Sequence, residues 1–170
     1  IYYSHKVHAG INQINCLYCH GGAQDSKHAN IPSVNICMNC HKGIKEYSKE
    51  SEVMVRENGV EVDGTAEIQK LYKYAGWNPD TKSYSPDNNG DGIPDGAKEI
   101  PWVRVHNLPD HVYFNHSQHV KVGKQQCQTC HGNIQEMPEV YQFSTLSMGW
   151  CINCHRETKV DFYNKADGSG

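Results

Sequence analysis

The sequence is short of apolar residues and contains no long apolar run. Hydrophobic residues make up 37% of its 170 positions, and eight of those positions are cysteines. A chain of this length with so little apolar surface can build only a thin core from its own side chains. No stretch reaches the roughly 20 apolar residues that a membrane-spanning helix needs. We therefore expect a bound group to supply apolar surface inside the fold.

An excess of positive charge is also missing. Lys and Arg together number 16 against 19 Asp and Glu, which gives a formal net charge of -3. Proteins that bind nucleic acid concentrate Lys and Arg against the phosphates, so the composition argues against a nucleic-acid partner. A basic protein would be the better electrostatic match as a partner.

All eight cysteines fall inside Cys-x-x-Cys-His motifs, and none is left over for a disulfide. The motif is the attachment signature of c-type haem, in which two thiols bond one porphyrin and the adjoining imidazole is the proximal iron ligand. Four motifs predict four covalently bound haem c groups. The copies are Cys16/Cys19/His20, Cys37/Cys40/His41, Cys127/Cys130/His131 and Cys151/Cys154/His155.

A zinc ribbon is the competing interpretation of the cysteines. The separations between Cys19 and Cys37 and between Cys130 and Cys151 also fit two Cys-x-x-Cys hairpins that share one zinc ion. A four-thiolate zinc site has no use for a histidine after each second cysteine, whereas haem requires one there. The histidines therefore favour haem.

An aromatic-x-His-x-x-His sequence, which we call the histidine box, precedes the first and the third motif. In both copies the second histidine lies eight residues before the first cysteine of the motif, so the chain contains an internal repeat. The four box histidines equal the number of distal iron positions and predict six-coordinate, bis-histidine iron, which transfers electrons and leaves no site for a substrate. The alternative is a pair of surface histidines on one helical turn. The predicted distal ligands are His5 and His8 after Tyr3, and His116 and His119 after Phe114.

The remaining candidate ligands carry weaker signals. His28, His106 and His111 are expected to be solvated or bonded to haem propionates rather than to iron. Met38, Met54, Met137 and Met148 could each supply a thioether ligand, but core packing is the preferred interpretation.

The repeat predicts a mostly irregular fold with short α-helices, in which two repeated dihaem units surround a haem-filled core. Residues 1–43 form the first unit, 44–105 a connecting segment, and 106–170 the second unit with a C-terminal tail. In the connecting segment we expect an exposed turn at 57–64 and an amphipathic helix that Thr65 caps and Gly76 ends. Its predicted apolar face consists of Ile68, Leu71, Tyr72 and Ala75.

The connecting segment also contains an acidic loop with part of a calcium-binding pattern. Oxygen-bearing residues stand at loop positions one, three, five and nine, and glycine at six, but Lys98 occupies position twelve, where a bidentate acid is expected. A polar insertion built from turn-forming residues is the alternative. The candidate Ca²⁺ ligands are Asp87, Asn89, Asp91 and Asp95.

The histidine box with its haem motif resembles the class III multihaem cytochromes c. More specifically, the stretches His5 to His41 and Val103 to His155 are similar to the pentahaem cytochrome c subunit of alternative complex III. The similarity is carried by Ile14 to Gly22, Ile31 to His41, Val105 to Asp110 and Ser147 to His155, and covers a little over half the chain. That family has five haems and this chain four motifs, so a fifth haem and the family's N-terminal membrane helix would lie outside these residues.

The resemblance implies a role that the motifs alone do not define. It implies an electron-transfer subunit, not an enzyme on its own, of a membrane quinol-oxidising respiratory complex at the periplasmic side of the bacterial inner membrane. Its partners would be an iron-sulfur subunit and integral membrane quinol-site subunits, with a cytochrome c or terminal oxidase as acceptor. A freestanding soluble periplasmic shuttle is the alternative, and a multihaem reductase with an open iron is a further competitor.

The resemblance to class III cytochromes also implies a pairing of ligands. The first histidine of each box would serve the motif that follows it, so His5 pairs with His20 and His116 with His131. His8 and His119 would then serve the haems of His41 and His155, either within one repeat or across the two.

Overall fold

The computed structural model describes residues 1–48 and 53–158, which form short helices joined by long irregular segments. The predicted fold class, mostly irregular with short helices, is confirmed in this respect. Part of the predicted C-terminal tail lies outside the described residues. The α-helices are α1 (Cys16–Cys19), α2 (Gly22–Asp25), α3 (Val34–His41), α4 (Gly64–Ala75), α5 (Cys127–His131) and α6 (Met148–Glu157). Two π-helices (Lys6–Ile11 and Gln118–Val122) and one 3-10 helix (Ile134–Glu136) complete the helical elements.

Strands are confined to two minimal antiparallel hairpins in the described part of the chain. The strand β1 (Met54–Val55) pairs with β2 (Glu61–Val62), which agrees with an exposed turn in the predicted region. The strand β3 (Trp77–Asn78) pairs with β4 (Ser83–Tyr84) directly after α4.

The apolar core of the described residues is thin and joins α3 to α4. Met38 of α3 is almost fully buried against Leu71, Tyr72 and Ala75 of α4, so the predicted apolar face of this helix is confirmed. The Tyr72 hydroxyl donates a hydrogen bond of 2.7 Å to the His41 carbonyl. The connecting segment therefore packs on the second haem motif.

The ends of α4 show one correction to the sequence analysis. The helix begins earlier than predicted, because Asp63 is its N-cap and accepts the Ala66 N–H at 3.1 Å. The hydroxyl of Thr65, the predicted cap, instead accepts the backbone N–H of Tyr47 at 3.0 Å. Gly76 ends the helix as predicted, in the left-handed conformation with φ of 63° that glycine adopts without strain.

The two halves of the chain pack directly on each other. The second π-helix lies against α2, and the first π-helix lies against the 3-10 helix. The backbone N–H groups of His116 and Ser117 donate to the carbonyls of Lys27 and Ser26 at 3.2 and 3.1 Å. The Lys121 ammonium pairs with Asp25 at 2.9 Å, but both side chains are exposed, so this ion pair stabilises little.

Two further sequence predictions concern burial and membranes. Met38 and Met137 are buried, as core packing requires, whereas Met148 is exposed.

Within residues 1–48 and 53–158, no helix is both long and apolar enough to span a membrane.

Candidate haem-binding site

Each Cys-x-x-Cys-His motif lies on, or ends, a short α-helix. One helical turn brings the two thiols of a motif to the same side, and the following histidine projects from the next position. Asn15 caps α1 by accepting the Leu17 N–H at 2.8 Å, and Ser147 caps α6 by accepting the Trp150 N–H at 3.4 Å. None of the eight cysteines, all of which lie within the described residues, forms a disulfide, so each thiol is available for thioether attachment.

The protein covers the eight cysteines unevenly. Cys16 and Cys40 are exposed, whereas the other six cysteines are half-buried. The physical reason is their position, because Cys16 begins the short helix α1 and Cys40 lies at the C-terminal end of α3, where little chain packs over them. A thioether joins the edge of a porphyrin, so an exposed thiol can still form it. The attachment roles of Cys37 and Cys40, like those of the other cysteines, stay predictions.

Each motif histidine faces one box histidine across a gap of similar width. The rings are near to parallel in two pairs and tilted in the other two. The ring centroids are 6.4 Å apart for His5 and His20, 6.1 Å for His8 and His41, 6.5 Å for His116 and His131, and 5.9 Å for His119 and His155.

These separations fit a metal ion held between two imidazoles. Two metal–nitrogen bonds of about 2 Å, with about 1 Å from each nitrogen to its ring centroid, give about 6 Å between centroids. A direct stack of the two rings would bring the centroids closer together. The donor set therefore fits haem iron with two axial histidines.

The two histidine boxes have the same geometry. Tyr3 contacts His5 edge-on at 4.9 Å and stacks on His8 at 4.4 Å. Phe114 repeats both contacts, edge-on with His116 at 4.9 Å and stacked on His119 at 4.4 Å. In both copies a π-helix, which is rare and often found at functional sites, presents the second histidine. The aromatic residue of the box thus fixes both histidine rings.

Backbone carbonyls hold the other ring nitrogen of five of these histidines among the described residues. An Nδ1–H that donates to a carbonyl leaves Nε2 unprotonated and available to a metal. The Nδ1 acceptors are the carbonyls of Ser4 for His8 (2.9 Å), Asn30 for His20 (2.6 Å), Ile44 for His41 (3.1 Å), Lys27 for His116 (2.9 Å) and Asn115 for His119 (2.9 Å).

Burial favours the neutral, metal-binding form of His5 and His131. Burial, with the neighbouring His20 and His8 adding to it, lowers the pKa of His5 to about 4. Burial also lowers the pKa of His131 to about 4, with smaller contributions from His106, His116 and His20. The Nδ1 atom of His5 is buried and has no hydrogen-bond partner among the described residues, as expected for a site whose environment includes a further group.

A side-chain contact at the third motif was not predicted from the sequence. The Nδ1 atom of His131 lies 3.1 Å from Nε2 of His106, and the two rings meet edge-on. His106 is half-buried and burial lowers its pKa, so of the two environments predicted for it, solvent or a haem propionate, full solvation does not hold. Its distance from His131 along the chain left no local pattern to reveal the contact. His28 and His111 are exposed, as expected.

Contacts between motifs order them in space. The amide of Asn39 in the second motif donates to the Tyr18 hydroxyl in the first at 3.1 Å. The corresponding positions of the third and fourth motifs, Thr129 and Asn153, line one surface pocket. Burial raises the pKa of Cys127, and the neighbouring Cys16 thiol raises it further. The first motif therefore lies next to the third. The order in space is therefore second, first, third, fourth.

The acidic loop closes on itself through its own hydrogen bonds. The Asp87 carboxylate accepts the N–H groups of Gly90, Asp91 and Gly92, and Asp95 accepts the Asn88 side-chain amide. Asp91 likewise accepts from the Asn89 side chain at 3.1 Å. In the part of the chain described, no three His, Cys, Asp or Glu residues gather as a metal site. Calcium binding by this loop stays a prediction.

Two similarities to known proteins agree with this site. Residues 112–168 match the family model described as cytochrome c7 and related cytochrome c. Over 174 residues the chain is 24% identical to a Nitratidesulfovibrio vulgaris protein named menaquinone reductase, multiheme cytochrome c subunit. The alignment covers 91% of this chain and 66% of that relative, so the chain spans just under two thirds of the relative's length.

The motifs and these similarities together point to a class of protein. The motifs are those of a multihaem c-type cytochrome, the class named in both similarities, and proteins of that class transfer electrons through covalently bound haem c. Its C-terminal third is cytochrome c7-like. The zinc-ribbon interpretation gains no support from either similarity.

Proposed function

We propose that this chain binds four haem c groups, each attached by one motif and held between one motif histidine and one box histidine. The observation that carries the proposal is the spacing of 5.9 to 6.5 Å between the ring centroids of all four pairs. Bound haem c supplies one-electron iron chemistry. With both axial positions filled by histidine, no position stays open for a substrate.

The ligand pairing that we propose lies within each repeat. His5 and His8 serve the motifs of His20 and His41, and the same pattern repeats in the second unit. The matched ring contacts of Tyr3 and Phe114 support the division into two dihaem units. The proposed proximal ligands are His20, His41, His131 and His155, and the distal ligands are His5, His8, His116 and His119.

The order of the motifs in space supports a single path for electrons along the chain. The second and fourth motifs lie at its two ends, and the first and third meet where the repeats pack together. Electrons that enter at either end would cross from one repeat to the other between the Cys16 and Cys127 thioethers. The direction of flow is set by the partners.

We further propose that the chain is the electron-transfer subunit of a membrane quinol-oxidising respiratory complex on the periplasmic side of the inner membrane. The resemblance of its motif-flanking stretches to the alternative complex III subunit supports this role. Its partners would be an iron-sulfur subunit and quinol-site membrane subunits, and a cytochrome c or terminal oxidase would accept the electrons. Covalent haem attachment on the outer side of an energy-transducing membrane supports the location.

A second candidate is the same subunit role in a complex that reduces menaquinone. The name of the relative from Nitratidesulfovibrio vulgaris, a menaquinone reductase subunit, favours it. Electrons would then enter from a reduced cytochrome and leave toward the quinone. A freestanding soluble shuttle is the remaining alternative and requires no membrane partner.

The test begins with detergent-extracted membranes that contain this polypeptide. Pyridine haemochrome quantitation should give four haems per chain, and the haem should stay on the chain under denaturing conditions. The paired variant Cys16→Ser, Cys19→Ser should lose one of the four. Fewer than four haems in the unaltered protein, or a high-spin spectrum, would contradict the ligand assignment.

The same preparation separates the functional candidates. Co-extraction with integral membrane subunits supports a complex, whereas a fully soluble free polypeptide identifies the shuttle. Reduction of the haems by a quinol supports quinol oxidation. Oxidation of the reduced haems by menaquinone, with no reduction by the quinol, would favour the second candidate.

A further inference from the structure

The third motif differs from the first two in what holds its proximal histidine. His20 and His41 place Nδ1 against backbone carbonyls, of Asn30 and Ile44 respectively. His131 places Nδ1 3.1 Å from a side chain, the Nε2 atom of His106. A substitution can remove this partner, whereas it cannot remove a backbone carbonyl.

The chemistry of the contact defines the tautomers. A histidine that binds iron through Nε2 carries its proton on Nδ1, so His131 is the donor of this hydrogen bond. Nε2 of His106 is then unprotonated and accepts it. An acceptor at this position makes the metal-bound imidazole a stronger electron donor to the metal and fixes the orientation of its ring.

The surrounding contacts hold His106 in place for this role. Arg104 Nε donates to the His106 carbonyl at 3.1 Å, and the Asn107 N–H donates to the Gln142 side chain at 3.0 Å. The centroids of the His106 and His131 rings lie 4.6 Å apart and the ring planes are inclined at 81°, so the two imidazoles meet edge-on. Hydrogen bonds therefore hold the backbone at His106 and at the residue that follows it, next to His131.

We propose that His106 is a positioning residue for the third haem, which accepts the Nδ1–H of His131 and thereby lowers the reduction potential of that haem alone. The proposal rests on His131 being the proximal iron ligand, as argued above. A more strongly donating imidazole stabilises the oxidised iron, so the haem becomes harder to reduce.

The test is a potentiometric titration of the haem-loaded full chain, followed optically and by EPR. His106→Phe should move one of the four redox transitions to higher potential and leave three unchanged. His106→Gln, whose side-chain carbonyl can still accept the bond, should return that transition toward the original value. His111→Phe, the same change at an exposed histidine, should alter none. If His106→Phe does not accumulate, His106→Ala replaces it.

Three outcomes would overturn the proposal. Four unchanged transitions in both His106 variants would mean that the contact does not tune the haem. An equal shift in His106→Phe and His106→Gln would mean that packing, not the acceptor, is responsible. Loss of a low-spin EPR signal at constant haem content would mean that His106 is itself an iron ligand. An unaltered protein without covalent haem would instead refute the proposed function.

Discussion

The imidazole rings of His116 and His131 are parallel to within 2°, with their centroids 6.5 Å apart. The ring centroids of His8 and His41 are 6.1 Å apart, but these rings are tilted by 55°. The chain thus contains two kinds of histidine pair, one of each kind in each repeat. The remaining two pairs follow the same division, at 11° for His5 and His20 and 53° for His119 and His155.

The ring angles predict two classes of EPR signal in the oxidised protein. The relative orientation of two axial imidazole planes sets the splitting of the iron d orbitals, so parallel and tilted pairs differ in their g values. We expect two signals with smaller and two with larger maximum g values. His119→Ala should remove one signal of the larger class only. Four signals of one class would contradict the observed angles.

The second prediction concerns the distal ligand His116. The variant His116→Met should keep four covalent haems but raise one reduction potential, because a thioether ligand favours reduced iron. The measurement is a redox titration, with haem content determined on the same sample. His111→Met, at an exposed position, is the matched control and should change nothing. Four unaltered transitions in His116→Met would rule out His116 as a ligand.

The third prediction concerns Gly132, which directly follows a motif histidine. Its φ is 70°, and an added Cβ would lie 2.6 Å from the Phe143 ring. Gly132→Ala should therefore destabilise the protein by about 1–3 kcal/mol and disturb the third motif. Denaturant unfolding of the haem-loaded protein measures the change. Gly149→Ala, where no atom lies within 4 Å of the added Cβ, should leave stability almost unaltered. Equal stabilities for the two variants would argue against the strain.

The fourth prediction concerns the small apolar core between α3 and α4. Leu71→Ala should cost about 2–5 kcal/mol because Leu71 is buried in that core. Tyr72→Phe should cost about 1 kcal/mol, because it keeps the ring and removes only the hydroxyl, which donates to the His41 carbonyl at 2.7 Å and also lies 3.4 Å from the Ile44 carbonyl. Exposed Lys73 on the same helix is the control, and Lys73→Ala should change stability by less than about 0.5 kcal/mol. A loss below that level in Leu71→Ala would mean that the haems alone stabilise the fold.

The parts of the fold that follow a local pattern could be predicted from the sequence. The apolar face of α4 follows from helical periodicity, and its C-terminus follows from Gly76. Its N-cap was predicted wrongly because Asp63 and Thr65 are both good caps, and only tertiary structure engages the Thr65 hydroxyl with Tyr47. The hairpin of β3 and β4 has two residues a strand, too few for alternation to show.

The candidate site likewise has parts that could be predicted from the sequence and parts that could not. The motif and box histidines stand at fixed spacing, so the sequence could nominate them as a set. It could not choose partners for His8 and His119, because that choice depends on how each π-helix lies against a later motif. It also could not reveal His106, whose contact with His131 joins two segments without a shared pattern. The exposure of Cys40 could not be predicted either, because the motif fixes the spacing between its two cysteines but not which residues cover them. These relations depend on packing between distant parts of the chain.

The hydrogen bond from His116 to the Lys27 carbonyl limits how the chain can be divided in protein engineering. His116 belongs to the second histidine box, yet the atom that orients its ring belongs to the first repeat. Lys27 also accepts the backbone N–H of His116, so one carbonyl fixes both the main chain and the side chain of that residue. A minimal dihaem protein cut from residues 106–170 would lose this acceptor. Its designer would need to rebuild the acceptor from another segment.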